Sequence, residues 1–150
     1  MKVVILGCGR VGSTLARMLS REGHDVSIID SKPEAFRRLG QKFAGQTILG
    51  NGVDSDVLKR AGIENADAFV ALTNGDNTNI MSVQMAKVIF SIRKTVARIY
   101  DPIRAYAYRE MGIDTICSTS IIGGVMADFL LDKEFRPVTA YCDLDTQFDK

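Results

Sequence analysis

The stretch Gly7-Cys8-Gly9-Arg10-Val11-Gly12 constrains this chain more than any other, because of what stands on either side of it. Val3-Val4-Ile5-Leu6 comes immediately before, a short unbroken apolar run of the kind a strand buried on both faces shows. Leu15, Ala16 and Leu19 follow at helical spacing. A second apolar strand, Val26 to Ile29, ends in Asp30. Strand, glycine turn, helix, strand and acid in that order form a dinucleotide-binding fingerprint.

Each residue type has a chemical reason. Gly7 permits the tight turn, Gly9 lets a pyrophosphate approach the backbone, and Gly12 lets the helix lie close on the strand. The helix N-terminus turns unpaired N–H groups and a partial positive charge toward the phosphates. Asp30, eighteen residues after Gly12, can accept hydrogen bonds from both ribose hydroxyls and would repel a 2′-phosphate, which disfavours NADP.

The rest of the chain repeats the alternation. Pro33 suits the first turn of a helix with Ser31 as its cap, and Ala35, Phe36, Leu39 and Phe43 supply an apolar face. Gln46–Leu49 reads as a third strand, closed by Gly50-Asn51-Gly52. Asp54 caps a short helix that stops at Gly62, and Ala66–Leu72 is a fourth strand. The polar loop Thr73–Asn79 leads into a helix carrying Ile80, Val83, Ala86, Val88 and Ile89, with Asp76 or Asn77 as its cap. Val96–Ile99 is a fifth strand, followed by a helix through Ala105, Tyr108 and Met111 and a short strand around Asp114–Cys117. Regular alternation predicts a Rossmann-like, doubly wound parallel sheet of six strands in the order 3-2-1-4-5-6, with helices on both faces.

At 150 residues and 46% hydrophobic, the chain suits one domain with a real core. Residues 1–132 are expected to form it, with 133–150 either a tail or the start of a further segment. The formal net charge of +1 makes no electrostatic case for nucleic acid. Three cysteines argue against a disulfide framework and for a reducing cytosol. No run is long and apolar enough to insert directly into a membrane, and a core strand at the N-terminus leaves no room for a signal peptide.

The final helix carries more apolar surface than one sheet edge needs: Ile121, Ile122, Val125, Met126, Phe129, Leu130 and Leu131. Gly123-Gly124 would admit another backbone close by. A dimer contact through residues 120–132 is expected from this stripe. Beyond it, Val138–Cys142 reads as strand-like.

In a fold of this kind the ligand lies outside the carboxyl ends of the strands. Arg10 can meet phosphate oxygens there. Asn51 either hydrogen-bonds an adenine edge or fills a turn position. Thr73 and Asn74 stand where ribose or phosphate would pass, and Arg98 ends its strand at the same edge or pairs with Asp101. His24, the only histidine, falls at the amino end of the sheet and reads as a turn residue. Cys8 reads as a small filler of the loop, and Met81 and Met85 as core.

Together, GCGRVGSTLA, the IID ending, LGNGVDSDVLKRAGIENADAFVALTNGDNTN and VARIYDP resemble the N-terminal subdomain of potassium-uptake regulators of the TrkA/Ktr type, the RCK, KTN or TrkA-N domain. The resemblance covers about Met1 to Leu131. It implies binding of NAD(H), or of ATP, ADP or AMP, with the glycine loop and Arg10 on phosphates, Asp30 on the adenosine ribose, and Asn51 with the backbone of Gly52 and Val53 at the adenine. Thr73 and Arg98 would line the distal phosphate or nicotinamide end. Cys8, Val11, Ser31 and Asn74 complete the expected cofactor-binding set. The resemblance further implies a homo-dimer or larger ring on the cytoplasmic face of a membrane potassium channel or transporter, gated by the nucleotide. Full-length members carry a further subdomain, which Lys133–Lys150 is too short to supply, so a truncated chain or a short subunit working with a longer paralogue is expected.

An enzyme is the competing class. A small NAD-dependent oxidoreductase needs an acid or base near the nicotinamide; His24 lies at the wrong edge, Tyr100 has no evident lysine partner, and no catalytic domain follows. A regulatory subunit of another ion transporter is the other alternative, which only the resemblance separates from potassium transport. The expectation is a non-enzymatic binding module.

Overall fold

The computed structural model describes residues 1–142. Its strands are β1 (Lys2–Leu6), β2 (Asp25–Asp30), β3 (Gln46–Leu49), β4 (Ala68–Ala71), β5 (Lys94–Ile99) and β6 (Thr115–Cys117). They form one six-stranded sheet in the order β3-β2-β1-β4-β5-β6, as expected. The registers joining β3, β2, β1, β4 and β5 are all parallel, with Val4 level with Ser27 on one side and Phe69 on the other. β1 is central because its Val3-Val4-Ile5-Leu6 run can be covered on both faces, and all four side chains are buried.

The helices are α1 (Arg10–Arg21), α2 (Ser55–Arg60), α3 (Asp76–Val88), α4 (Pro102–Glu110), α5 (Ser118–Leu130) and α6 (Val138–Cys142). Two compact units are distinguished, Met1–Ala97 and the segment from Arg98 onward. In the first, Ala16 of α1 packs with Val3, Ile5, Val26, Ile28, Ala35 and Leu39, and Leu15, Leu19, Phe36 and Phe43 border that cluster. Each large aliphatic side chain buried there contributes roughly 1.5–3 kcal/mol of transfer free energy.

Several local expectations are corrected. Pro33–Leu39 is a 3-10 helix rather than an α-helix; Lys32, not Ser31, precedes it, and no side chain caps it. Asp30, one residue before Ser31, accepts the Lys32 N–H at 2.9 Å. Asp54 does cap α2, accepting from the Asp56 N–H at 2.8 Å, and the chain leaves that helix through Gly62 in the left-handed region. A short 3-10 turn, Ile63–Asn65, follows and was not expected. Gly75, rather than Asp76 or Asn77, occupies the cap position of α3. Ile80, Val83 and Ala86 are buried as the periodicity predicts, but Met81, Val88 and Ile89 are exposed, so core packing does not account for Met81.

In the second unit, Asp101 caps α4 and Pro102 opens it, while the Thr115 hydroxyl donates to the Ala105 carbonyl at 3.0 Å. The strand-like run Val138–Cys142 is helix α6. Its β-branched and aromatic composition is overridden by one tertiary anchor. Tyr141 is buried, and its hydroxyl donates to Asp128 Oδ2 of α5 at 3.0 Å. Arg136 grips the same carboxylate with two hydrogen bonds of 2.8 and 2.9 Å.

Candidate nucleotide-binding edge

The glycine loop connects β1 to α1, and its three glycines stand in three different situations. Gly7 has φ +100°, a region L side chains rarely adopt, and a Cβ there would lie 2.9 Å from backbone atoms of Leu72 and Thr73. A Cβ on Gly12 would collide with the Gly7 carbonyl oxygen, so α1 can sit this close to the loop only with glycine. Gly9 is different. Its φ of −73° and ψ of −167° suit any residue, and a Cβ would meet nothing within 4 Å. Neither conformation nor internal packing asks for glycine at this position; the space a side chain would fill lies outside the protein.

That space stands at the start of α1, where Gly9 supplies no capping side chain and no acid occupies the first turn. The first N–H groups of any helix have no intrahelical partner, and the helix dipole adds partial positive charge. Arg10 and Val11 are exposed beside them. Such a helix start can accept an anion.

Asp30, half-buried at the end of β2, is held in place by two backbone donors. Its Oδ2 accepts the Cys8 N–H at 2.7 Å and its Oδ1 accepts the Lys32 N–H at 2.9 Å. Each oxygen keeps a further lone pair for a hydroxyl. The bond to Cys8 ties the carboxylate to the glycine loop itself, a coupling the sequence pattern does not display. Cys8 is fully buried and its thiol donates to the Ala35 carbonyl at 3.4 Å. Burial first, and then the Asp30 charge, push the Cys8 thiol up to about 11, with Arg38 opposing. A thiol held protonated is a poor nucleophile, which supports its reading as a filler of the loop.

Between β3 and α2, Asn51 makes the turn its alternative reading allowed, its Oδ1 accepting the Val53 N–H at 3.2 Å. Gly52 is buried against the Leu6 side chain, which a Cβ there would run into. Between β4 and α3, the Asn79 side chain acts as an internal latch that sequence reasoning missed. Its Oδ1 accepts the Thr73 N–H at 2.9 Å and the Thr73 hydroxyl at 2.7 Å, and its Nδ2 donates to the Thr73 carbonyl at 3.0 Å. Asn79 is fully buried. An amide one turn inside an apolar helix face was the available signal. Asn74 is exposed at the tip.

The structure thus brings the glycine loop, Asp30, Ser31, Asn51–Val53 and Thr73–Asn74 to the carboxyl ends of strands of the first unit. Arg98 belongs to the second unit, where its guanidinium stacks on the Tyr100 ring, 4.6 Å from the centroid. His24 is far from these residues in the fold, in the turn that enters β2, with the Met1 amino group 3.3 Å from its Nδ1. Among the described residues, no group of three His, Cys, Asp or Glu side chains is placed to hold a metal, and no helix is long and apolar enough to cross a membrane.

The TrkA-N domain family model matches residues 3–119, which contain every element named at this edge. The chain belongs to the TrkA-N domain family. Among its relatives, a Trk system potassium uptake protein TrkA from Streptomyces coelicolor is 45% identical over 138 residues, covering 92% of this chain and 62% of that protein. A TrkA homolog from Pyrococcus abyssi is 41% identical over 111 residues, covering 74% of this chain and 49% of the relative. The chain therefore spans between about half and three fifths of these TrkA proteins. Among solved structures, the Shewanella denitrificans Kef CTD in its AMP-bound form superposes with a TM-score of 0.73 at 27% identity, over 99% of this chain and 93% of that one. The GsuK RCK domain shares the fold, with a TM-score of 0.74 at 23% identity over 87% of this chain and 28% of that one.

Proposed function

We propose that this TrkA-N chain is a nucleotide-binding regulatory module of a potassium-uptake system and not an enzyme. The observation that carries the reading is Gly9, a glycine whose conformation and internal packing would accept a side chain, facing open space at an uncapped helix start. The ligand class is an adenosine nucleotide, NAD(H) or one of ATP, ADP and AMP; the AMP-bound Kef CTD supports it. Loop N–H groups and Arg10 take the phosphates. Asp30 takes the ribose hydroxyls and repels a 2′-phosphate. Asn51, Gly52 and Val53 border the adenine, and Thr73 and Asn74 the far end of the ligand. Regulation follows if the nucleotide binds one assembly state more tightly than another, since a ligand shifts an equilibrium only by that difference.

The assembly partner is a second copy of the chain, met through α5. Ser120, Gly124 and Asp128 turn inward on that helix, while Ile122, Met126, Phe129 and Leu130 are all more than half exposed. Gly123 shares the property of Gly9: a Cβ would meet nothing within 4 Å. The potassium uptake proteins among the relatives support a membrane transport protein as the further partner, with the module held at the inner face of the membrane through it.

Calorimetric titration of the chain with NADH, NAD, ATP, ADP, AMP and NADPH tests the reading. At least one of the first five is expected to bind, NADPH more weakly than NADH. Asp30→Ala should weaken every adenosine ligand about tenfold or more, the loss of a charge-assisted hydrogen bond of roughly 1.5–3 kcal/mol. No binding by any of them would overturn the reading.

A further inference from the structure

A cavity of about 200 Å³ lies between the C-terminal half of α1 and the segment that leaves the 3-10 helix. Arg17 and Arg21 border it from the helix and Lys42 from the segment, with Ser20 beside them and Leu39 and Phe43 as apolar walls. Two local features build it. The Ser20 hydroxyl accepts the Ala44 N–H at 3.4 Å, which ties the segment to α1. Gly45 carries no Cβ because the Phe43 ring and the Val26 carbonyl occupy that place.

The charge is one-sided. Three cations and no carboxylate border the cavity. Among the described residues, none of the three cationic side chains makes an ion pair or a hydrogen bond. All three side chains are exposed, and Arg17 and Arg21, four residues apart on α1, repel each other modestly, a repulsion that an anion between them would relieve. The helix dipole gives Arg21, in the last turn of α1, a structural reason to be basic. It gives none to Lys42, which comes from another element, and little to Arg17, which lies before that turn.

The cavity is separate from the nucleotide edge. α1 runs back from the glycine loop toward the amino ends of the strands, so Arg17 and Arg21 stand about 10–16 Å along the helix from Arg10, at 1.5 Å per residue. At about 200 Å³ it is smaller than the roughly 300–1,000 Å³ of pockets for drug-sized ligands, and suits one charged group with a small apolar body. From this geometry we infer that the cavity is a second ligand site, which takes a phosphate monoester. Arg17, Arg21 and Lys42 hold the phosphate oxygens by charge-assisted hydrogen bonds, and the apolar remainder of the ligand lies on Leu39 and Phe43. A soluble phosphate ester and an anionic lipid headgroup offer the same chemistry.

The test is residue-resolved NMR titration of the whole chain with phenyl phosphate, with inorganic phosphate as the probe lacking an apolar body, and sedimentation with vesicles of phosphatidylcholine alone or mixed with phosphatidic acid. Phenyl phosphate should move the amide signals of Ser20, Arg21, Gly40 and Phe43 saturably and more tightly than inorganic phosphate. Arg17→Gln with Lys42→Gln should weaken that binding at least tenfold while leaving the Gly9 and Gly12 signals responsive to AMP. Vesicle binding that needs phosphatidic acid and is lost in the double variant would assign the phosphate to a lipid; response to phenyl phosphate without vesicle binding would assign it to a soluble ester. Phosphate signals confined to the glycine loop, or equal affinity in the double variant, would overturn the site.

Discussion

Two of the turns that carry the chain from a strand into a helix, those after β5 and β1, end differently. After β5, Asp101 closes the start of α4, its Oδ1 accepting the Ile103 N–H at 2.9 Å and the Arg104 N–H at 3.2 Å, and Pro102 removes a further donor. After β1, the start of α1 has no capping side chain, no acid and no proline. The ordinary solution to orphan helix donors is a cap worth about 1 kcal/mol. α2 and α4 use it, at Asp54 and Asp101, whereas α3 and α5, like α1, start without a capping side chain. What sets α1 apart is the glycine at its start with nothing around its missing Cβ, which makes sense when the cap comes from outside as a phosphate.

The sharpest way to break this comparison is Gly9→Val. Its backbone angles accept valine and no neighbour stands in the way, so stability should change by no more than about 1 kcal/mol. The side chain would fill the proposed phosphate position, and nucleotide affinity should fall at least a hundredfold by calorimetry. A folded Gly9→Val protein that binds normally would mean that the void is not where the ligand sits. Asp101→Ala makes the complementary change. Loss of the cap should cost about 1 kcal/mol in urea denaturation and leave nucleotide affinity within twofold. If it weakened binding as much as stability, α4 would have to be reckoned with the site.

What was legible in the sequence follows the same division. The glycine loop and Asp30 could be read because each answers a local demand: a positive φ at Gly7, a close approach at Gly12, and an acid at the end of β2. The strand order followed from unbroken apolar runs alternating with helices. Features settled by distant neighbours were not legible. Val138–Cys142 looks like a strand until Asp128 is found ten residues upstream, buried and waiting for the Tyr141 hydroxyl. The apolar periodicity of α3 identified the helix but not which apolar residues are covered, so Met81, Val88 and Ile89 went to the core on paper and to the surface in the fold. The Asn79 latch was hidden because a buried amide and an exposed one are the same letter.

The last test asks whether closure by a carboxylate, as at Asp101, also holds α6. Asp128 accepts both Arg136 hydrogen bonds and the Tyr141 hydroxyl. The Arg136 hydrogen bonds, chiefly, hold its carboxyl below the usual carboxylate value, against the opposing effect of burial. A carboxylate depressed in the folded state contributes stability that is complete above its unfolded value of about 3.9 and is lost as the pH falls through the folded one. The contribution of this group to the denaturation midpoint should therefore be full and constant between pH 7 and 5, and the midpoint should fall below about pH 4 as Asp128 gains its proton and releases Arg136. Asp128→Asn should start lower at pH 7 and lack that part of the acid slope, while Tyr141→Phe, which keeps the Arg136 pair, should retain most of it. An acid slope unchanged in Asp128→Asn would place the seat of α6 in apolar contact alone, and would leave Asp101 and Asp54 as the carboxylates this fold uses for closure.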